Sequence, residues 1–261
     1  MILFGSPGSL FSAEAARILD GMGLLRAVVV PAGSTRKIRG QPPGTLVSAG
    51  LLHVWKRVRV LGRRAGIIRG GLFLSLAEFL SRTSVPEVLF SRRTKVMESR
   101  LTSFAGQGDL LLVSCGFPRK IPVDMGTFSM MLNIHPGLLP ENRGPCPCFW
   151  ALEHGNGRTG VTVHLLAGEF DAGDILLSAE TSIPPASTEF GLELLSARLL
   201  EPIVHQLMED PFSLAEAAYP QQEGRSYPRP GSGDRRRLGR TRVLTCRDVA
   251  GFRAWNRLAG R

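Results

Sequence analysis

The sequence predicts an α/β protein with an open, doubly wound and mainly parallel sheet. Two observations carry this prediction. Short apolar stretches alternate with segments of helical spacing in the first half of the chain, as is typical of parallel sheets. Later, 160–166 and 170–183 follow each other with no helix between them, which predicts a hairpin on the edge of the sheet. At 261 residues, 43% of them hydrophobic, the chain can form one or two domains.

The first half of the chain begins with a continuous apolar stretch, "ILFGS" (2–6), which predicts a buried strand. Apolar residues then recur at helical spacing over 10–23, so a helix follows. The valine-rich stretch 24–31 ends at a proline and predicts the second strand. Residues 32–50 are rich in Gly, Pro, Ser and Thr, which predicts a loop.

In the second half, 103–117 ends in a third apolar strand and 130–136 forms a fourth. Residues 160–166 alternate in polarity, and 170–183 contain a turn followed by another strand. The longest predicted helix is 187–210, with Ser187 as its N-cap, and 249–258 predict a short terminal helix.

The chain is predicted to divide into a main α/β domain, 1–210, and a basic extension, 211–261. The formal net charge is +10, and 224–261 hold eleven arginines and two aspartates. Four cysteines, two of them in Cys146-Pro-Cys148, have neither disulfide-framework nor zinc-ligand spacing, so no metal is expected. No basic leader or bilayer-length apolar run occurs, which predicts a cytoplasmic protein.

Two basic segments allow more than one interpretation. Residues 56–80 join six basic side chains to an apolar run, which fits a surface helix packed on the core or a peripheral contact with an anionic membrane. Residues 224–242 are rich in Gly, Pro and Arg. They predict a poorly ordered, solvated tail, with nucleic-acid or phosphate contact as the alternative.

The segment "MLNIHPGLLPENRG" places an amide and an imidazole at the end of a predicted strand. Asn133 and His135 are two residues apart, so in an extended strand both side chains point to the same face. Pro136 favours an extended backbone at His135. Asp171, in the turn "EFDAGD", is the best candidate for a carboxylate that completes an acid–base site. A buried, hydrogen-bonded structural histidine is the alternative.

A longer segment, "LNIHPGLLPENRGPCPCFWALEHGNGRTGVTVHLLAGEFDAGDIL" (132–176), resembles the signature of the folate-dependent formyltransferases. This family includes methionyl-tRNA, glycinamide ribonucleotide and sugar N-formyltransferases. Its pattern runs from Asn-x-His-Pro-Ser-Leu-Leu-Pro through Arg-Gly and Gly-Val-Thr-x-His to an Asp-x-Gly-x-Ile turn. The resemblance covers roughly residues 1–210, more weakly outside this segment, and implies a Rossmann-like formyltransferase fold.

The resemblance implies a catalytic set of Asn133, His135 and Asp171, with 10-formyltetrahydrofolate as formyl donor and no metal. An acceptor amine would attack the formyl carbon, and Asn133 and His135 would stabilise the oxyanion. Residues expected to bind the folate are Arg119, Lys120, Ile121, Leu165, Leu166, Ala167, Gly168 and Asp171. Residues expected near the acceptor are Gly137, Arg143, Gly144 and His164, although His164 also fits a purely structural role.

Two departures from the family pattern concern the acceptor. Gly137 replaces the usual serine of the signature, and the segment after 210 is too short for the C-terminal barrel of methionyl-tRNA formyltransferase. The sequence therefore favours a small-molecule amine, such as an amino-sugar nucleotide, over tRNA. A formyl-folate hydrolase and a non-catalytic folate- or membrane-binding relative are the other candidates.

Overall fold

The computed structural model describes residues 1–32, 43–64, 71–105, 108–238 and 245–259, and within them a seven-stranded sheet forms the centre. Five strands are parallel, and the last two add as an antiparallel hairpin at one edge. This confirms the predicted fold class. In chain order the strands are β1 (Ile2–Gly5), β2 (Ala27–Val30), β3 (Glu87–Leu89), β4 (Leu111–Cys115), β5 (Met130–His135), β6 (Arg158–Leu165) and β7 (Ile175–Ser182), and in space they run β3-β2-β1-β4-β5-β6-β7.

Helices and loops cover both faces of the sheet, as a doubly wound fold requires. Side chains alternate along the strands, so that in β1 Leu3 enters one core cluster and Ile2 and Phe4 enter the other. The described helices are α1 (Leu10–Gly21), α2 (Pro43–Arg64), α3 (Leu76–Leu80), α4 (Thr94–Thr102), α5 (Pro147–Glu153), α6 (Glu189–Arg198), α7 (Leu200–Glu209), α8 (Pro211–Glu216), α9 (Ser232–Arg237) and α10 (Cys246–Ala259).

The predicted loop 32–50 is wrong in its second half. Residues 33–42 lie outside the described residues, but α2 begins at Pro43 and contains the rest. Proline is well tolerated in the first turn of a helix because the missing N–H has no partner there anyway. Further along α2, Leu52 and Trp55 pack against the core.

The predicted helix 187–210 is two helices, α6 and α7, which meet at Leu199. Pro202 cannot donate to the fourth residue before it, and its ring clashes with that carbonyl, so one continuous helix is broken there. The N-cap is Thr188, whose hydroxyl accepts from the Gly191 N–H at 2.9 Å, and not the predicted Ser187.

The basic segment 56–80 begins in α2, whose outer face is partly apolar, and its residues 65–70 lie outside the described residues. Trp55 packs inward, with its ring 5.4 Å from the Phe252 ring. On the outer face Leu51, Val54, Val58 and Leu61 are exposed. No described helix is long and apolar enough to span a bilayer, and peripheral membrane contact through 56–80 stays a prediction.

Arg59 of this segment pairs with a buried carboxylate. Its Nε donates to Glu78 Oε2 at 2.9 Å, and Nη2 lies 2.8 Å from Oε1, while the Glu78 side chain is 0% exposed. Arg59→Leu is expected to lower the free energy of unfolding by about 3 kcal/mol, because a buried charge loses a partner. Urea denaturation measures this. Arg57→Leu, at an exposed position of the same helix, is the control, and equal losses in the two variants would contradict the assignment.

The C-terminal extension is more ordered than predicted where it is described. Ser226 pairs with Arg143, Trp150 Nε1 of α5 donates to the Pro228 carbonyl at 3.0 Å, and α9 forms within the Arg-rich stretch. Arg235 forms an ion pair with Glu189, and Arg237 contacts Glu153 at 3.2 Å. These carboxylates explain why a Gly/Arg-rich segment adopts a defined path. Residues 239–242 of the predicted tail lie outside the described residues.

Candidate active site

Asn133 and His135 lie in the last half of β5, on one face of the sheet, as the strand alternation predicts. The antiparallel register of β5 with β6 pairs Asn133 with His164 and His135 with Thr162. Because directly paired residues in adjacent strands share a face, two imidazoles and an amide meet at one point. His135 and His164 are both almost fully buried.

Asp171 completes this group from the turn between β6 and β7. Its Oδ1 accepts from Asn133 Nδ2 at 2.9 Å and lies 3.4 Å from His135 Nδ1. Its Oδ2 accepts from the Gly144 N–H at 2.7 Å. The backbone of Asp171 has φ +54°, a left-handed conformation uncommon for a residue with a side chain. Asn133, His135 and Gly144 therefore share one carboxylate, which comes from a distant turn of the chain.

The proton positions on His135 follow from its two partners. Nε2 lies 2.9 Å from the carbonyl oxygen of Asn142, so Nε2 carries a hydrogen and donates it. Nδ1 faces the Asp171 carboxylate, and a second hydrogen there makes the ring an imidazolium. Burial by itself lowers the pKa of His135, but the Asp171 charge and the Asn142 carbonyl raise it above the ordinary value of 6.5.

The pKa of Asp171 moves in the complementary direction. Burial by itself raises it, but the charge and hydrogen bond of His135 hold it well below its ordinary range. Asp171 is therefore a carboxylate at neutral pH. The described arrangement is an ion pair closed off from solvent, with the Asp171 side chain only 10% exposed.

His164 forms one wall of the same group. Its Nδ1 donates to the Leu165 carbonyl at 2.7 Å, which leaves Nε2 as an acceptor for Asn133 Nδ2 at 3.0 Å. Nε2 also lies 3.6 Å from Asp171 Oδ1. Both hydrogens of the Asn133 amide are thus committed, one to a carboxylate and one to an imidazole. His164 orients this amide.

A cleft of about 680 Å³, a size in the range of small-molecule sites, is lined in part by the loop that carries Asp171. Gly168 and Phe170 are the lining residues from this loop. The rest of the lining is residues 118–123, which follow β4, together with Phe90 and Arg92. The cleft is therefore apolar with a cationic border supplied by Arg92, Arg119 and Lys120.

Five predicted folate residues, Arg119, Lys120, Ile121, Gly168 and Asp171, line this cleft or adjoin it in the same loop. Leu165, Leu166 and Ala167 do not line it. The N–H of Leu165 donates to Asp174 O and that of Leu166 donates to Met131 O, so these groups continue the sheet. Folate contacts of all eight residues remain predictions.

Residues 97–207 match the family model described as formyl transferase, and this segment contains Asn133, His135 and Asp171. Residues 97–207 belong to the formyl transferase family.

Related sequences and structures agree with this family. The methionyl-tRNA formyltransferase of Syntrophus aciditrophicus is 39% identical over 114 residues, which are 39% of this chain and 36% of that protein. The human mitochondrial methionyl-tRNA formyltransferase is 36% identical over 99 residues, 37% of this chain and 25% of that protein. The chain thus spans about a third or less of the length of these relatives.

The fold extends beyond the formyl transferase segment. The N-formyltransferase of Helicobacter canadensis, solved with folinic acid and dTDP-3-aminofucose, superposes with a TM-score of 0.57 at 13% identity. The superposition covers 87% of this chain and 70% of the Helicobacter canadensis chain. A sugar N-formyltransferase from Shewanella gives a TM-score of 0.54 at 15% identity, over 87% of this chain and 76% of its own. At these identities the likeness concerns the fold alone.

The predicted acceptor residues of the formyl transferase segment separate into two groups. Gly137 and His164 lie against the group formed by Asn133, His135 and Asp171. A Cβ added at Gly137 would be 3.1 Å from His135 Nε2 and 2.9 Å from Pro147 Cβ, and His164 contacts Asn133 at 3.0 Å. Gly144 instead supports Asp171. The guanidinium of Arg143 donates hydrogen bonds to residues 221, 222 and 224, so in this structure its partners belong to the protein itself.

Two contributors to the site are not indicated by the sequence. The Asn142 carbonyl holds His135 Nε2, and a main-chain acceptor carries no sequence signal. Gln221 donates to the Asp171 and Gly173 carbonyls from fifty and forty-eight residues away. It lies outside the segment that carries the family signature, where nothing singles it out from Gln222.

Proposed function

We propose that this protein transfers a formyl group from 10-formyltetrahydrofolate to a primary amine on a small acceptor. One observation carries the proposal: Asp171 binds Asn133 at 2.9 Å and faces His135 at 3.4 Å. The cleft that adjoins the same loop has room and an apolar lining for a pterin. Its cationic border suits the carboxylates of a folate.

The donor supplies an activated formyl group bonded to a folate nitrogen. Attack by the amine forms a new N–C bond and gives a tetrahedral centre with an oxyanion. His135, held as an imidazolium, stabilises that oxyanion with its charge. Asn133 stabilises it with the amide hydrogen that it donates to His164 in the absence of substrate. Asp171 assists removal of the amine proton through a water, and that proton leaves with the folate nitrogen when its bond to the formyl carbon breaks.

The amino sugar of a nucleotide is the acceptor class to test first. The fold is shared over 87% of the chain with an N-formyltransferase solved with folinic acid and such a nucleotide. Gly137 lets Pro147 and His135 pack closely against the main chain, because an added Cβ would lie 2.9 Å from Pro147 Cβ and 3.1 Å from His135 Nε2. A serine at this position would therefore need its neighbours to shift.

A screen of amines with 10-formyltetrahydrofolate tests the proposal, with release of tetrahydrofolate as the signal. Release that requires an amine, accompanied by a mass gain of one formyl group on that amine, is the expected result. Equal release with and without every amine would instead identify a hydrolase. Release that persists in His135→Ala would exclude this site as its source.

Methionyl-tRNA is the second candidate, because the relatives reported above are named methionyl-tRNA formyltransferases and are up to 39% identical over an aligned segment of 114 residues. The exposed Arg229 and Arg236 would then contact phosphates. Arg229→Gln and Arg236→Gln would each reduce the salt dependence of tRNA binding by about one phosphate contact. An unchanged salt dependence in both variants would remove the support that the basic extension gives to this candidate.

A further inference from the structure

A segment from beyond α8 reaches the candidate active site, and we name it the C-terminal strap, residues 219–228. It begins where Tyr219 exchanges two main-chain hydrogen bonds with Ile175, at 2.9 and 3.1 Å. It ends where the Tyr227 N–H donates to the Arg143 carbonyl at 2.9 Å. These anchors lay the strap across the two loops that surround the site carboxylate.

Gln221 is the strap residue that contacts the turn holding Asp171. Its Nε2 donates to the Asp171 carbonyl at 3.0 Å and to the Gly173 carbonyl at 2.7 Å. Its Oε1 accepts from Arg143 Nε at 2.9 Å. Both amide hydrogens and the amide oxygen are therefore used, which fixes the orientation of the side chain.

The same side chain also braces the loop on the other side of the carboxylate. Arg143 precedes Gly144, whose N–H donates to Asp171 Oδ2 at 2.7 Å. The two remaining guanidinium nitrogens of Arg143 donate to the carbonyls of Gln222 at 3.1 Å and Gly224 at 3.3 Å. Movement of the strap would therefore displace both the Asp171 backbone and the N–H that binds its side chain.

Asp171 requires such support because its φ of +54° is sparsely populated for a residue with a side chain. Residues in such conformations persist when the surrounding structure holds them. Accepting a hydrogen bond at its own carbonyl, from Gln221, is the contact that restrains this backbone from the strap side.

We propose that Gln221 is a positioning residue that holds the Asp171 turn in its left-handed conformation, so that the carboxylate stays against His135. Its role in turnover rests on the proposed formyl transfer, whereas its role in the ion pair does not. Gln221 does not touch the reacting atoms. It acts through Asp171.

Two variants separate its contacts. Gln221→Met keeps a similar volume and removes the amide, while Gln221→Glu keeps an acceptor for Arg143 but places a carboxylate against two carbonyls. For both variants we expect kcat to fall roughly ten- to a hundredfold, because even a small misplacement of a catalytic group lowers the rate by such a factor. The KM for 10-formyltetrahydrofolate should stay within about twofold, because the strap does not line the cleft.

The second readout is the pKa of His135, followed by NMR on histidine-labelled protein and assigned with a His135→Gln sample. We expect it to fall by about one unit in both variants, since the ion pair loosens. Gln222→Met, whose exposed side chain has no described role, is the matched control and should change neither kcat nor this pKa.

The outcomes separate this proposal from the proposed function. A lowered His135 pKa in the Gln221 variants, with no formyl transfer by the wild type, would support the positioning role and reject the function. Wild-type kcat and an unchanged His135 pKa in a folded Gln221 variant would overturn the positioning role. If Gln221→Met fails to fold, Gln221→Glu decides by the same two measurements.

Discussion

Asp171→Asn is expected to lower kcat for formyl transfer by about a thousandfold, within the range that acid–base groups contribute. The asparagine can still accept from the Gly144 N–H, which donates to Oδ2 in the wild type. It has no charge, however, so burial then lowers the pKa of His135 with only the Asn142 carbonyl opposing it. The ring would lose the positive charge that stabilises the oxyanion.

The pH profile of kcat shows whether this is the cause. In the wild type the raised pKa of His135 keeps the imidazolium present above pH 6.5, and the rate falls as pH rises through that pKa. In Asp171→Asn the same fall should occur at lower pH, below about 6.5. Asp174→Asn, at an exposed position in the same turn, should leave kcat and the profile unchanged. A loss in Asp171→Asn of less than tenfold, with the wild-type profile, would contradict this role.

His135→Gln is expected to cost about as much as Asp171→Asn, and the double variant should be at most about tenfold worse than either. Asp171 acts mainly through His135, which it faces at 3.4 Å, so its removal matters little once the imidazolium is gone. The remaining loss of at most about tenfold reflects its bond to Asn133 and its part in removing the amine proton. Measured kcat/KM values for the four proteins give this coupling directly.

Multiplied losses, about a millionfold in the double variant, would mean that the two side chains act independently. Adding Asp174→Asn to His135→Gln supplies the control, because that pair has no contact to lose and should show no extra effect. Thermal melts of each variant confirm that the comparison concerns folded protein.

The sequence predicted the part of the site that depends on local geometry. Asn133 and His135 share a face because strand side chains alternate, and this is confirmed. The alternation of side chains along β5 gives no information on Asp171, which is identified by the family resemblance and by its position in a turn. The structure brings it to both partners, as that identification requires.

Contacts that depend on the path of the chain could not be predicted in this way. Gln221 reaches Asp171 only because Tyr219 pairs with Ile175 at the edge of the sheet. Asn142 contributes a carbonyl, which every residue possesses. Local composition also misled, since the start of α2 lies in the predicted loop 32–50 and is helical.

All of these expectations depend on the buried ion pair between His135 and Asp171. The NMR titration of His135 in the wild-type protein, free of any substrate, tests that pair most directly. Both ring nitrogens should carry hydrogen at pH 7, with deprotonation only above the ordinary histidine range. A neutral His135 ring at pH 7, with Asp171 in place, would contradict the account.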